Sequence, residues 1–155
     1  MDDRDFMEAA IAKTRKGIKE GQGPFGACIA KKGRIVSCEH NKVWKNTDPT
    51  AHAEMEAIRK ACKKLKTIDL SNCTIYSTTE PCPMCFSAIH WAKISKIVYG
   101  AAISDAKKYG FNELSMPVTM MKKIGKAHVI LKPGFMRKEC AALFKEWKKA
   151  NGRNY

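Results

Sequence analysis

The sequence predicts an α/β protein, a three-layer α/β/α sandwich around a mixed five-stranded sheet. Three observations carry this. A β-hairpin follows an N-terminal amphipathic segment; helical and β-rich segments then alternate; and Gly/Pro-rich breaks separate them. A hairpin makes the first strands antiparallel, and the βα alternation makes the later ones parallel, hence a mixed sheet. A length of 155 residues fits one domain, 1–155, and 45% apolar residues suffice for one core.

The elements follow in order. From about residue 3 to 20, Phe6, Ala9, Ala10, Ala12 and Ile18 recur with helical spacing, with Asp2, Asp3 and Asp5 at the start and lysines toward the end. EGQGPFG is a loop, and FGACIA, KKGR and IVSCEH form the hairpin. NKVWKNTDPT reads as a loop that ends on Asp48-Pro49, a helix-opening pair, with the helix running to about Lys66 and Ile58, Cys62 and Leu65 on its buried face. CTIYSTT (73–79) and KIVYGA (96–101) are strands, with PCPMC and a helix over FSAIHWA between them. ISDAKKYGFNEL reads as a short helix and loop, KAHVIL (126–131) as the fifth strand, and 135–150 as a closing amphipathic helix before the tail NGRNY. No repeat or low-complexity segment interrupts this order.

Composition narrows the function classes. No apolar run is long enough to span a membrane, and MDDRDFMEAA lacks a signal-peptide centre, so a cytoplasmic location is expected. Seven cysteines, an odd number without a secretory signal, argue against a disulfide framework, and Cys28, Cys38, Cys62, Cys73 and Cys140 read as small buried hydrophobes. The excess of 29 basic over 15 acidic residues, net +14, admits a nucleic-acid partner. The lysines are nevertheless dispersed, and no aromatics interleave with them as a base-stacking surface requires.

Two short stretches carry chemistry: DPTAHAE (48–54) and EPCPMC (80–85). Pro83 at a helix start puts Cys82 at the cap, and the spacing of three brings Cys85 to the same side of the first turn, where the helix dipole favours thiolate. His52 and Glu54, near the start of the preceding helix, both lean toward a point beyond its end. His52, Cys82 and Cys85 then grip one Zn2+ at three points, leaving an open position, and a zinc-held water is acidified toward neutrality. Glu54 is left over as a proton shuttle. Competing readings are a structural zinc with His40, His90 or Cys73 as fourth ligand, a Cys82–Cys85 redox pair, and a binding module without catalysis. The pattern H-x-E…P-C-x-x-C is the signature of zinc deaminases.

On these residues the chain resembles the cytidine-deaminase-like zinc hydrolases. GPFGA (23–27), TDPTAHAE (47–54), AIRKAC (57–62), EPCPMC, AIHWA (88–92), GFNE (110–113) and the terminal Tyr155 are most similar to bacterial-type guanine deaminases. The chain departs where Glu113 stands for the shorter acid of a GFDD pattern. The resemblance implies that Asn41 hydrogen-bonds the purine, that Phe25 and Trp91 wall the base pocket, that Glu113 accepts from its N–H groups, and that Tyr155 reaches the substrate. It also implies a homodimer in which about 135–155 is exchanged between subunits, and hydrolysis of guanine to xanthine and ammonia. The rival substrates are adenosine in tRNA, cytosine or a nucleoside.

Overall fold

The structure, a computed structural model, describes residues 1–155. The hairpin strands β1 (Gly26–Lys31) and β2 (Arg34–His40) pair antiparallel. β1 continues antiparallel onto β3 (Cys73–Thr79), and β4 (Lys96–Ala101) and β5 (Ile130–Lys132) extend the sheet in parallel. The strand order is β2-β1-β3-β4-β5, the mixed five-stranded sheet that the sequence predicts.

Each face of the sheet is covered. On one, α1 (Asp3–Lys19) and α7 (Arg137–Lys149) bury Phe6, Met7, Ile11, Leu143, Phe144 and Trp147 against Tyr76 and Val98. On the other, α3 (Ala53–Leu65) and α4 (Pro83–Trp91) pack Ala57, Ala61, Phe86 and Ile89 against Ile29, Ile75 and Ile97. Alternate β3 residues thus serve opposite cores, as the period of two in a strand requires. α1 begins on a reciprocal cap: Asp2 accepts from the backbone of Arg4 and Asp5, and the Asp5 carboxylate accepts from Asp2 N–H.

Several expectations are corrected. The helix expected from Asp48-Pro49 starts at Ala53, because Asp48 instead accepts from the backbone and hydroxyl of Thr50 in a local turn, and Ala51 O accepts from Lys42 N–H. Ala53, Ala57 and Ala61 carry the deepest face of α3; Ile58, Cys62 and Leu65 flank it half-buried. Within the expected loop lies a single turn, α2 (Val43–Asn46). Beyond the short helix α5 (Ile103–Lys108) comes an unforeseen α6 (Val118–Ile124), started at Pro117. β5 is three residues long and begins at Ile130, since it pairs only with Lys96–Val98.

The cysteine reading is corrected as well. Cys28 and Cys38 face each other across β1 and β2, with Cα atoms 4.0 Å apart, and are joined as a disulfide. An odd cysteine count cannot reveal such a pair; the hairpin register creates it. Cys62, Cys73 and Cys140 are free.

Candidate active site

The site forms where β1 starts and where β2 and β3 end, so the segments carrying Phe25, Asn41 and Glu80 converge on the N-termini of α3 and α4. His52 is the N-cap of α3 and Cys82 the N-cap of α4, with Pro83 at the first helical position. The two cap side chains face each other across the gap between the helix starts. His52 Nδ1 lies 3.6 Å from Cys82 Sγ and 3.7 Å from Cys85 Sγ. The three donor atoms fall within 4.8 Å of one another. A tetrahedral zinc with Zn–N of about 2.0–2.1 Å and Zn–S of about 2.3 Å needs N···S separations of about 3.6 Å. The donor set therefore fits the ion in both chemistry and spacing. Neither His40, which contacts Asn41 O and Glu20, nor Cys73 or His90 belongs to this cluster.

The electrostatics agree. A hydrogen bond from Cys85 lowers the Cys82 thiol to about 4 against the opposing effect of burial, and His52 adds to the lowering. One proton is in effect shared by the two sulfurs and sits on Cys85, whose thiol is pushed well up. Cys82 is thus a ready-made thiolate.

Glu54, 6% exposed, lies behind the cluster, with Cys85 Sγ 3.5 Å from its Oε2. Burial is the main influence raising its pKa, and the Cys82 thiolate adds to it. Ser77 Oγ stands 2.7 Å from Glu54 Oε1 and 2.6 Å from Thr79 O. A hydroxyl has one proton and a carbonyl can only accept. Ser77 can therefore donate to Thr79 O while accepting from a protonated Glu54, or turn to donate to the ionised carboxylate. That two-way contact suits a group that must take up and release a proton. Ser77 was not among the residues singled out by sequence. The signal was a serine on the same strand face as buried Ile75.

Phe25, His52, Glu54, Glu80, Cys82, Glu113 and Tyr155, with Thr79, enclose a cavity of ≈10 Å³, about the room of one water centre. Outside it a groove of ≈340 Å³ runs past Pro49, Met84, Phe111 and Leu114. Phe25 packs edge-on against Phe111, 4.9 Å between centroids. Asn41 is fully buried. Its Oδ1 accepts from Val43 N–H, and its Nδ2 donates to Tyr155 Oη at 2.6 Å. Glu113 is raised to about 7 by burial, with Cys82 as the next contributor.

Of the nine residues expected in the site, eight come together. Trp91 does not: it stands at the C-terminal end of α4, 82% exposed, beside Phe86, His90 and Met121. It is the last of the nine residues of α4, whose start carries the cluster. Tyr155 reaches the site within its own chain. The tail folds back so that Trp44 donates to Arg153 O, the Arg153 guanidinium lies 3.7 Å from the Trp44 ring centroid, and Asn112 N–H donates to Tyr155 O.

The fold and this cluster define a zinc-dependent aminohydrolase. Residues 1–101 match the family described as the cytidine and deoxycytidylate deaminase zinc-binding region. The guanine deaminase of Bacillus subtilis is 44% identical over 114 residues, covering 73% of each chain. A tRNA-specific adenosine deaminase of Aquifex aeolicus is 41% identical over 117 residues, covering 72% of this chain and 76% of its own. Among solved structures, the guanine deaminase of Nitrosomonas europaea superposes with a TM-score of 0.88 at 28% identity, over 96% of this chain and 85% of its own. The chain belongs to the cytidine and deoxycytidylate deaminase family, and His52, Cys82 and Cys85 are its residues placed to bind zinc. No helix is long and apolar enough to cross a membrane.

Proposed function

We propose that the chain hydrolyses the exocyclic amine of a free purine base, guanine to xanthine plus ammonia. The observation that carries this choice is the tail. Tyr155 is tied to Asn41 and packs 5.4 Å from Phe111, so the site is closed by the chain's own C-terminus. A free base fits under such a cover after a small opening, whereas a polynucleotide strand must cross it. The similarity to guanine deaminases supports the same choice.

When bound, zinc supplies a water acidified enough to attack near neutral pH. The residues of the chain do the rest. Glu54 takes the proton released by that water and delivers it to N3, the ring nitrogen beside C2 that carries no hydrogen. It then takes the remaining proton of the added hydroxyl, as the C2 carbonyl forms and the C–N bond breaks, and passes it to the departing amine, so that guanine and water yield xanthine and ammonia. Ser77 steadies the carboxylate in both protonation states. Phe25 stacks against the base, Glu113 reads its polar edge, and Asn41 joins it once Tyr155 lifts from the amide that it now covers. A cluster of three donors with no fourth side-chain ligand beside it, together with the shuttle at Glu54, favours catalysis over a structural zinc, a redox pair or a silent binding module.

The test is ammonia release from guanine, guanosine, cytosine, adenine and tRNA side by side. Turnover of guanine alone supports the proposal. Turnover of tRNA with a steep salt dependence refutes it in favour of a tRNA adenosine deaminase, the reading that the net charge of +14 and the Aquifex relative favour. We extend the proposal to a homodimer in which a second copy covers the exposed Trp91, Leu114 and Ile124. Exchange of 135–155 would then place Tyr155 in the neighbouring site, and sedimentation at equilibrium checks the mass.

A further inference from the structure

Glu80 precedes the zinc-binding helix and is 8% exposed, yet its carboxylate contacts no basic side chain in the hydrogen-bond network. Oε2 accepts from Ile103 N–H and Oε1 from Val118 N–H, both at 3.0 Å. Those donors are the first residues of α5 and α6, each with a backbone N–H that its own helix leaves unpaired. Its own N–H is spent on Ala101 O at 2.8 Å, which seats the residue between β3 and β4.

Residues 109–117 connect α5 to α6, and Glu113 lies in this loop. Within the loop, most backbone hydrogen bonds are local. Phe111 N–H reaches Ala106 O and Glu113 N–H reaches Phe111 O, while the long-range bonds all go to the C-terminal tail: Asn112 N–H donates to Tyr155 O, and Asn154 Nδ2 donates to Tyr109 O and Gly110 O. The Phe111 ring is buried and anchors the loop's first half. Beyond it Leu114 is 66% exposed. One side chain therefore ties the start of α6, where the loop ends, to the start of α5, the short helix that leads into the loop, and that side chain sits two residues before a zinc ligand.

We propose that Glu80 is a positioning residue: a two-armed carboxylate clamp that gathers the starts of α5 and α6 and thereby holds Glu113 at a fixed distance from the zinc cluster. The link to substrate rests on the reading of Glu113 as a base-contacting group. The clamp itself does not.

Two variants test it. Glu80→Gln keeps one carbonyl oxygen but turns an NH2 group toward the other backbone N–H, donor against donor. Val118→Pro removes the N–H from the opposite side and leaves Glu80 intact; proline is tolerated at a first helical position, and Pro117 already has extended φ and ψ. Val118→Ala, which keeps the N–H, controls for the change of side chain. Both clamp variants should speed amide hydrogen exchange across 109–117 by about tenfold while zinc stays at one per chain, since each removes a hydrogen bond to a charged group. In each, KM for the base turned over should rise about tenfold with kcat within about threefold, because binding and not proton transfer is disturbed.

If Glu80→Gln does not fold, Val118→Pro measured against Val118→Ala decides alone. Unchanged exchange and KM in the clamp variants overturn the proposal. So does a loss of zinc and kcat at constant KM, which would make Glu80 a prop for α4. Should the parent turn over no free base, the substrate reading fails, and exchange at 109–117 still decides the clamp.

Discussion

Replacing Ser77 with alanine isolates the proton-handling half of the site from its metal-binding half. Ser77 Oγ is the one hydroxyl in contact with Glu54, at 2.7 Å, and it is 2% exposed, so no solvent replaces it. The only other side-chain partner of the carboxylate is the Cys85 sulfur at 3.5 Å, a longer and weaker contact. Removing Oγ thus strips Oε1 of its partner in a buried place. A hydrogen bond to a charged group is worth about 1.5–3 kcal/mol. If that is felt while Glu54 carries the proton through the reaction, kcat/KM falls by about tenfold to a hundredfold. None of it passes through His52, Cys82 or Cys85, so zinc per chain should stay at the parent value. The assay is ammonia release at saturating and limiting substrate, with metal content measured on the same preparation. Activity within twofold of the parent would refute the assignment, as would a loss that tracks missing zinc.

Glu54→Gln keeps the shape of the shuttle but cannot carry a proton. Activity should fall by about 10²–10⁴ with zinc retained, read by the same pair of measurements. Tyr155→Phe leaves the buried Asn41 amide without its 2.6 Å partner and should cost about 1–3 kcal/mol of stability, read in a denaturant titration. Asp3 offers a pH test. Burial pulls its carboxyl up, but hydrogen bonds from Lys132, Tyr76 and Lys96 outweigh this and hold it at about 2, below the ordinary 3.8. A carboxyl lowered on folding stabilises fully above its unfolded pKa and loses that contribution as pH falls toward the folded one. With the side chain 29% exposed, the contribution is about 1–2 kcal/mol after solvent screening. Asp3→Asn should therefore differ from the parent most at pH 5 and by about half as much at pH 3, measured as unfolding free energy. An equal difference at both pH values would show that the charge is not what matters.

What the sequence revealed and what it hid divide along chain distance. The zinc ligands were legible because each is a local matter: a proline after Cys82, a spacing of three to Cys85, and a helix start near His52. Even the misplaced start of α3 left that reading intact, because a residue at the N-cap and one in the first turn lean toward the same end. Trp91 failed for a related reason. It belongs to a motif contiguous with the site in sequence, yet the helix carries it away along its own axis. The cross-strand pair Cys28–Cys38 depended on hairpin register, and α6 was too short to show a period.

Glu80 is the sharpest instance of the division. It stands in EPCPMC, where the adjacent cysteines draw the eye, and nothing local distinguishes it from any acid before a helix. Its meaning comes from Ile103 and Val118, 23 and 38 residues away, whose N–H groups it receives. A buried carboxylate is expensive unless its oxygens are satisfied, so its presence at 8% exposure requires fixed donors. Those donors are the first residues of α5 and α6, the short helices before and after the loop that carries Glu113. The same strand-to-helix turn that presents Cys82 to the metal thus also fixes the loop that faces it. A substitution in that turn is therefore expected to alter substrate affinity without touching either a zinc ligand or the proton shuttle.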